Sequence, residues 1–393
     1  MAPLRVSLLS TFGSRPRGVN RYTEGLLSGL AGQELEISVF DYRQLYPKLL
    51  VPASRMAEAA SGEEAIVHWA SPATWRELTE KAAPLLHIQY WSPFTAYMLY
   101  FICRHMHALG KKVVLTVHNP ASHETFPGSR FFERMLIKSA DALIVHSSSG
   151  KEALLSCIRG LDPERVFVIP HGVEQNSSEK PRADDYRISG LSPDRKYVVM
   201  FGNLRGYKGI PTLLKAWRHV IDTDNDVDLI LAGRLWQGRN GLMSRMVARI
   251  LETDRVANEI AEMLEDSRLQ QRVILREGFI PDAVIDAYCR ISSLGVFPYD
   301  RFSGQSGAAT RAAGWGLPLV VSNVGALPML VADDGQLTEP GDWRGLARIL
   351  LGLLAEPSVL EGIRSRQNRL IRDYAWNAVG ARHLDVYEGL VRP

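Results

Sequence analysis

Short runs of β-branched and apolar residues alternate along this chain with longer amphipathic stretches. The first six runs are Val6–Leu9, Ile37–Phe40, Leu86–Ile88, Val113–Leu115, Ala142–Val145 and Val166–Ile169. Their length and continuous apolar character predict strands buried on both faces, with helices between them. A second series starts at Val198–Phe201 and continues through Leu229–Leu231, Val273–Leu275, Leu294–Phe297 and Leu319–Val321. Strand alternating with helix, twice over, predicts an α/β chain with two doubly wound parallel sheets. Residues 175–196 hold Asn176, Ser177, Ser178, Pro181, Asp184 and Asp185, turn formers that predict an interdomain linker.

Size agrees with two domains, because 393 residues exceed what one ordinary core accommodates. With 46% apolar and 23% charged residues the composition is that of a globular enzyme, and no apolar run is long enough to span a bilayer. The net charge of +3 is interspersed, which gives nucleic acid no footprint. Cys103, Cys157 and Cys289 are far apart, a spacing of buried reduced thiols rather than of a disulfide framework or zinc site. The N-terminal residues enter a strand without a signal-peptide pattern, so the expected location is the cytoplasm.

Ligands of open parallel sheets bind beyond the carboxyl ends of the strands, so the loops there carry the candidate chemistry. After the strand ending at Phe201 come Gly202, Asn203, Leu204, Arg205, Gly206, Tyr207, Lys208 and Gly209, then a helix. Glycines admit a ligand to the backbone, and two cations at a helix start suit a diphosphate; a solvated turn is the plain alternative. After Phe297, the residues Gly304, Gln305, Ser306 and Gly307 cluster before another helix. Ser306 is a good cap, and the small residues expose helix-start N–H groups to phosphate or sugar. The first loop, from Ser14 to Tyr22, contains Arg17, Gly18, Asn20 and Arg21 but lacks GxGxxG, which counts against a dinucleotide oxidoreductase.

His118 ends one strand, His171 follows another, and His123 and Glu124 lie close behind the first. A strand-end histidine is commonly structural; Glu124 is either a general base or a helix-start charge. The acidic run Asp222–Asp226 lacks the glycine and closing glutamate of a calcium loop and is expected to be a solvated turn. Tyr97–Ile102, followed by Arg104, His105, His107, Lys111 and Lys112, predicts a core helix, with peripheral membrane contact as the second reading.

In this order the motifs resemble the family 4 type of GT-B glycosyltransferases over nearly the whole chain. The resemblance rests on Gly18 with its basic neighbours, Leu86–Trp91, Thr116–Pro120 with His123 and Glu124, Ile169–Val173, Phe201–Gly209, Gly316–Ser322 with Gly325, and the final segment from Tyr374 to Tyr387. It implies two facing Rossmann-like domains across a deep cleft: an acceptor domain at 1–180, a nucleotide-sugar domain at 181–372, and a segment at 373–393 crossing back. It also implies hexose transfer from a UDP- or GDP-sugar to a saccharide or polyprenyl-linked saccharide, with no metal and no cofactor beyond the donor. Arg205 and Lys208 would neutralise the diphosphate, and His118 would lie near the reacting sugar. Gly18, Gly202, Asn203, Gln305, Ser306, Gly307 and Arg311 are the further donor contacts. Asn20, Arg21 and His123 are the acceptor contacts.

One departure stands out. The two glutamates of the family's E-x7-E pattern fall on Ser303 and Arg311, and a QSG loop stands there instead. Retention with the leaving phosphate as base is expected, and an inverting route would need Glu124 or, second, Asp41 as base. A sugar-nucleotide epimerase and a degenerate binding protein are the rival readings.

Overall fold

The computed structural model describes residues 3–12, 18–47, 64–120, 128–176, 181–224, 226–234, 253–302 and 304–391. The chain divides into two compact units. One comprises Met1–Gly172, Tyr374–Pro393 and the stretch Ser303–Gln305; the other comprises Val173–Phe302 and Ser306–Asp373.

The first unit runs β1 (Leu4–Leu9), α1 (Gly18–Leu30), β2 (Leu35–Gln44), β3 (Glu64–His68), α2 (Pro72–Lys81), β4 (Leu85–Tyr90), α3 (Ala96–Ala108), β5 (Lys112–Val117), α4 (Ser129–Ser139), β6 (Ala142–Val145), α5 (Ser148–Cys157) and β7 (Val166–Val168). Its sheet has the order β3-β2-β1-β4-β5-β6-β7, every pair parallel. The apolar runs fill the middle of that sheet because helices cover both faces, and β4 is buried at every position.

The second unit runs α6 (Ala183–Ser189), β8 (Lys196–Phe201), α7 (Ile210–Thr223), β9 (Val227–Gly233), α8 (Thr253–Met263), α9 (Ser267–Arg272), β10 (Val273–Glu277), α10 (Asp282–Ile291), β11 (Leu294–Phe297), α11 (Gly307–Gly314), β12 (Leu319–Ser322), β13 (Leu337–Thr338), α12 (Trp343–Ala355) and α13 (Pro357–Arg372). Its parallel sheet has the order β10-β9-β8-β11-β12-β13. In both sheets the order reverses beside the first strand, at β1/β4 and at β8/β11. That reversal opens a crevice at the carboxyl ends of those strands. The two doubly wound sheets expected from the alternation are therefore present.

A last helix, α14 (Trp376–Val391), belongs to the first unit and packs on α1. The approach is backbone on backbone: a Cβ at Gly29 would stand 2.0 Å from the Trp376 carbonyl oxygen. Buried hydrogen bonds join the same helix to the sheet, Tyr22 Oη to His383 Nε2 at 3.0 Å and Tyr387 Oη to His87 Nδ1 at 2.7 Å.

Two expectations change, and a third, the core helix, holds. The stretch 175–196 is not a plain linker, because it contains α6, whose buried Asp185 bonds to Arg290 at 2.5 Å. Cys157 is exposed, although Cys103 and Cys289 are buried as expected. The Tyr97–Ile102 run forms α3, with Met98, Leu99, Ile102, Cys103 and Met106 in the core and Phe101 42% exposed. No described helix is long and apolar enough to cross a membrane.

Candidate active site

The second unit's crevice is built by the loops after β8 and β11. Gly209 closes the first loop at φ 66°, and a Cβ there would stand 1.8 Å from the Pro298 carbonyl oxygen. Glycine is therefore required for the two loops to touch. A further backbone bond, Asp300 N–H to the Tyr207 carbonyl at 2.9 Å, ties them together, and Tyr207 stacks on Phe302 with centroids 5.7 Å apart.

This closure buries Lys208, only 6% exposed. Its ammonium lies 5.0 Å from the centroid of the Tyr299 ring. No described carboxylate pairs with it. Burial lowers its pKa, the sign of a cation that has lost water without gaining a counter-charge. The Tyr299 hydroxyl is 2.7 Å from Ser306 Oγ, which caps α11 by accepting from Ala309 N–H at 3.3 Å. The loop after β8 and the start of α11 thus converge: Gly202, Lys208, Tyr299, Ser306 and Ala308 are neighbours. Arg205 and Asn203 are exposed beside them, Gln305 is half-buried, and Gly307 is exposed at the start of α11.

Arg311 has other partners. Its guanidinium donates to Asp286 Oδ1 at 2.6 and 2.9 Å and to Asp282 Oδ1 at 2.6 Å, and Trp315 Nε1 donates to the same Asp286 oxygen at 2.8 Å. At the position where the family pattern has its second glutamate, this chain has an ion-paired arginine clamping α11 to α10.

In the first unit, Gly18 is exposed at the start of α1 and Arg21 is exposed one turn on. Asn20 is buried, accepting from Thr11 Oγ1 at 2.5 Å, which gives it a structural bond at the β1 end. Asp41 is fully buried and accepts from the N–H groups of Phe12 and Tyr42, so it is shut away from any acceptor hydroxyl. His123 and Glu124 lie outside the described residues.

His118 ends β5 and is half-buried against Tyr22, ring centroids 4.8 Å apart. Its Nδ1 is 3.2 Å from His146 Nε2 and its Nε2 is 2.8 Å from Gln89 Oε1. Hydrogen-bond direction then follows. The Ile169 carbonyl, 3.1 Å from His146 Nδ1, only accepts, so that nitrogen carries the proton and His146 Nε2 accepts from His118 Nδ1–H. His118 Nε2 is left as an acceptor facing Gln89 Oε1, a pair satisfied once the Gln89 amide is turned over so that its Nε2–H donates. Desolvation, then the neighbouring imidazoles, hold the His118 pKa well below its ordinary value; burial takes His146 down to about 3. His118 is a fixed neutral ring with both nitrogens engaged. His146 carries the same strand-end signal in the sequence as His118 and could have been found by it.

The fold and crevice define a class of protein, and comparison with known proteins agrees. Residues 16–177 match Glycosyltransferase Family 4, and residues 195–356 match Glycosyl transferases group 1. The chain belongs to the GT-B glycosyltransferases of the family 4 type. It is 24% identical over 264 residues to D-inositol 3-phosphate glycosyltransferase of Xylanimonas cellulosilytica, covering 65% of this chain and 58% of that protein. It is 25% identical over 301 residues to alpha-maltose-1-phosphate synthase of Mycolicibacterium smegmatis, covering 70% and 72% respectively. Among solved structures, sucrose-phosphate synthase from Thermosynechococcus elongatus superposes with a TM-score of 0.72 at 19% identity, over 99% of each chain. Anabaena HepE in complex with UDP and glucose gives 0.71 at 16% identity, over 98% of this chain and 100% of that one.

Proposed function

We propose that the crevice of the second unit binds a nucleoside-diphosphate sugar, and that the chain transfers the hexose to a hydroxyl of a saccharide or lipid-linked saccharide. The buried, carboxylate-free ammonium of Lys208 carries this reading, because such a cation is stabilised only when a ligand brings the anion. A diphosphate supplies it. Gly202 and Asn203 let the donor approach the backbone, and Arg205 adds a second cation at the crevice mouth. The first amides of α11, at Gly307 and Ala308, precede any intrahelical acceptor and suit a phosphate or sugar oxygen beside Gln305 and Ser306.

When the C1–O bond to the diphosphate breaks, negative charge grows on the phosphate oxygen, where Lys208 and Arg205 neutralise it without a metal. The acceptor oxygen bonds to C1 and its proton passes to the released phosphate oxygen, with retention. The engaged nitrogens and depressed pKa of His118 favour a role as a fixed wall beside Gly18 and Arg21 rather than as a base. HepE was solved with UDP and glucose, which makes UDP-glucose the first donor to try.

The test is a thermal-shift screen against UDP, GDP, ADP and their sugars with EDTA present. One nucleotide at about 100 times its Kd should add about 2.7 kcal/mol. Arg205→Ala/Lys208→Ala should abolish that shift and lower transfer about 100-fold or more. Unchanged turnover in the double variant would sink the diphosphate assignment.

A further inference from the structure

We infer that the first unit carries a second, separate site for a phosphate-bearing anion, in a groove of about 800 Å³ at the amino edge of its sheet. The walls come from α3, α4, the first residue of β5, the turns entering β6 and β7, and α14. Gly18, at the start of α1, and His118, just after β5, belong to the opposite, carboxyl edge of the same sheet.

Four permanent cations line the groove, Arg104, Lys112, Lys138 and Arg165, against the single carboxylate of Asp141. The whole chain carries only +3, so this one depression concentrates a charge excess as large as that of the entire molecule. Asp141 is already saturated: it accepts from Lys112 Nζ at 3.0 Å, His107 Nε2 at 2.9 Å and Val113 N–H at 2.8 Å. Arg104 and Lys138 are exposed and have no carboxylate partner among the described residues.

A plain role for such cations is to neutralise the carboxyl ends of α3 and α4, which face this edge. Other groups already perform it. The carbonyls of His105, Met106 and His107 accept from the N–H groups of Leu109, Gly110 and Lys111, and Arg165 donates to the Lys138 and Asp141 carbonyls. That leaves the Arg104 and Lys138 side chains for an external anion, with Tyr100, Met135 and Leu390 as an apolar wall for an organic body. An organic phosphate has this chemistry, either as a soluble metabolite or as a phospholipid headgroup.

Pyrophosphate titration calorimetry at low ionic strength tests the site independently of the donor-loop reading. The full chain should show a binding event that Arg104→Ala/Lys138→Ala weakens about 10-fold or more, and that Arg205→Ala/Lys208→Ala leaves in place. Arg104→Gln/Lys138→Gln should behave like the alanine pair, and both should keep the parent's thermal midpoint, because the side chains are exposed. Flotation with phosphatidylglycerol against phosphatidylcholine vesicles then identifies the source. Binding to the anionic vesicles that is lost in the pair assigns the phosphate to a lipid headgroup; pyrophosphate binding without vesicle binding assigns it to a soluble ligand. Pyrophosphate and vesicle binding both unchanged in the folded pair would overturn the site.

Discussion

Lys208 is a buried cation without a described carboxylate partner. Its ammonium has exchanged water for the face of Tyr299, and an unpaired buried charge costs stability until an anion arrives. Lys208→Met keeps the stem and removes the charge. It should raise unliganded stability by about 1 kcal/mol, or about 2–4 °C for a domain of this size, while the nucleotide-induced shift disappears. Differential scanning fluorimetry with and without UDP reads both effects; a destabilised variant would show that the cation is satisfied within the fold. At this scale the sequence exposes residue types but not their partners. Arg205 and Lys208 are visible as cations after a strand, whereas the ring under Lys208 lies 91 residues further on and the aspartates holding Arg311 are 25 and 29 residues back. A spacing pattern cannot supply such pairs.

Elements with continuous apolar runs were legible, since a strand covered on both faces has no polar position to confuse its period. Those at the margins were not. β13 is two residues long, β3 offers only Ile66 and Val67 to the core, and α6 has seven residues, too few for a helical stripe to repeat. The family resemblance implied that 373–393 crosses back, but not its glycine seam against α1, because glycine gives a helix no periodic signal. Yet Gly29 sets the distance between these helices. Gly29→Ala should destabilise the first unit by about 1–3 kcal/mol through overpacking. Limited proteolysis should then release a C-terminal fragment faster than from the parent; equal cleavage rates would show that α14 adjusts without cost.

Charge is distributed unequally through the whole molecule. Nine of the ten histidines lie in the first unit and only His219 in the second. Among them His87, His146 and His383 are buried, and desolvation lowers their pKa values, to about 3 for His146 and about 4 for His383. Each is neutral when folded and takes a proton near pH 6.5 when unfolded, so stability is full above that pH and falls as pH drops towards 4. Three such groups together remove about 4 kcal/mol per pH unit in that window. Scanning calorimetry between about pH 7 and pH 5 should therefore show the first unit's transition moving down faster than the second's. Transitions that fall in parallel would mean the imidazoles charge without unfolding.

The bonds from Tyr22 to His383 and from His87 to Tyr387 also order events in time. During synthesis all seven described strands of the first unit leave the ribosome before either buried group meets its partner. The second unit's strands and helices all precede residue 374. The unit that begins first is thus the last to be completed, waiting on a helix made after its neighbour has everything it needs to close.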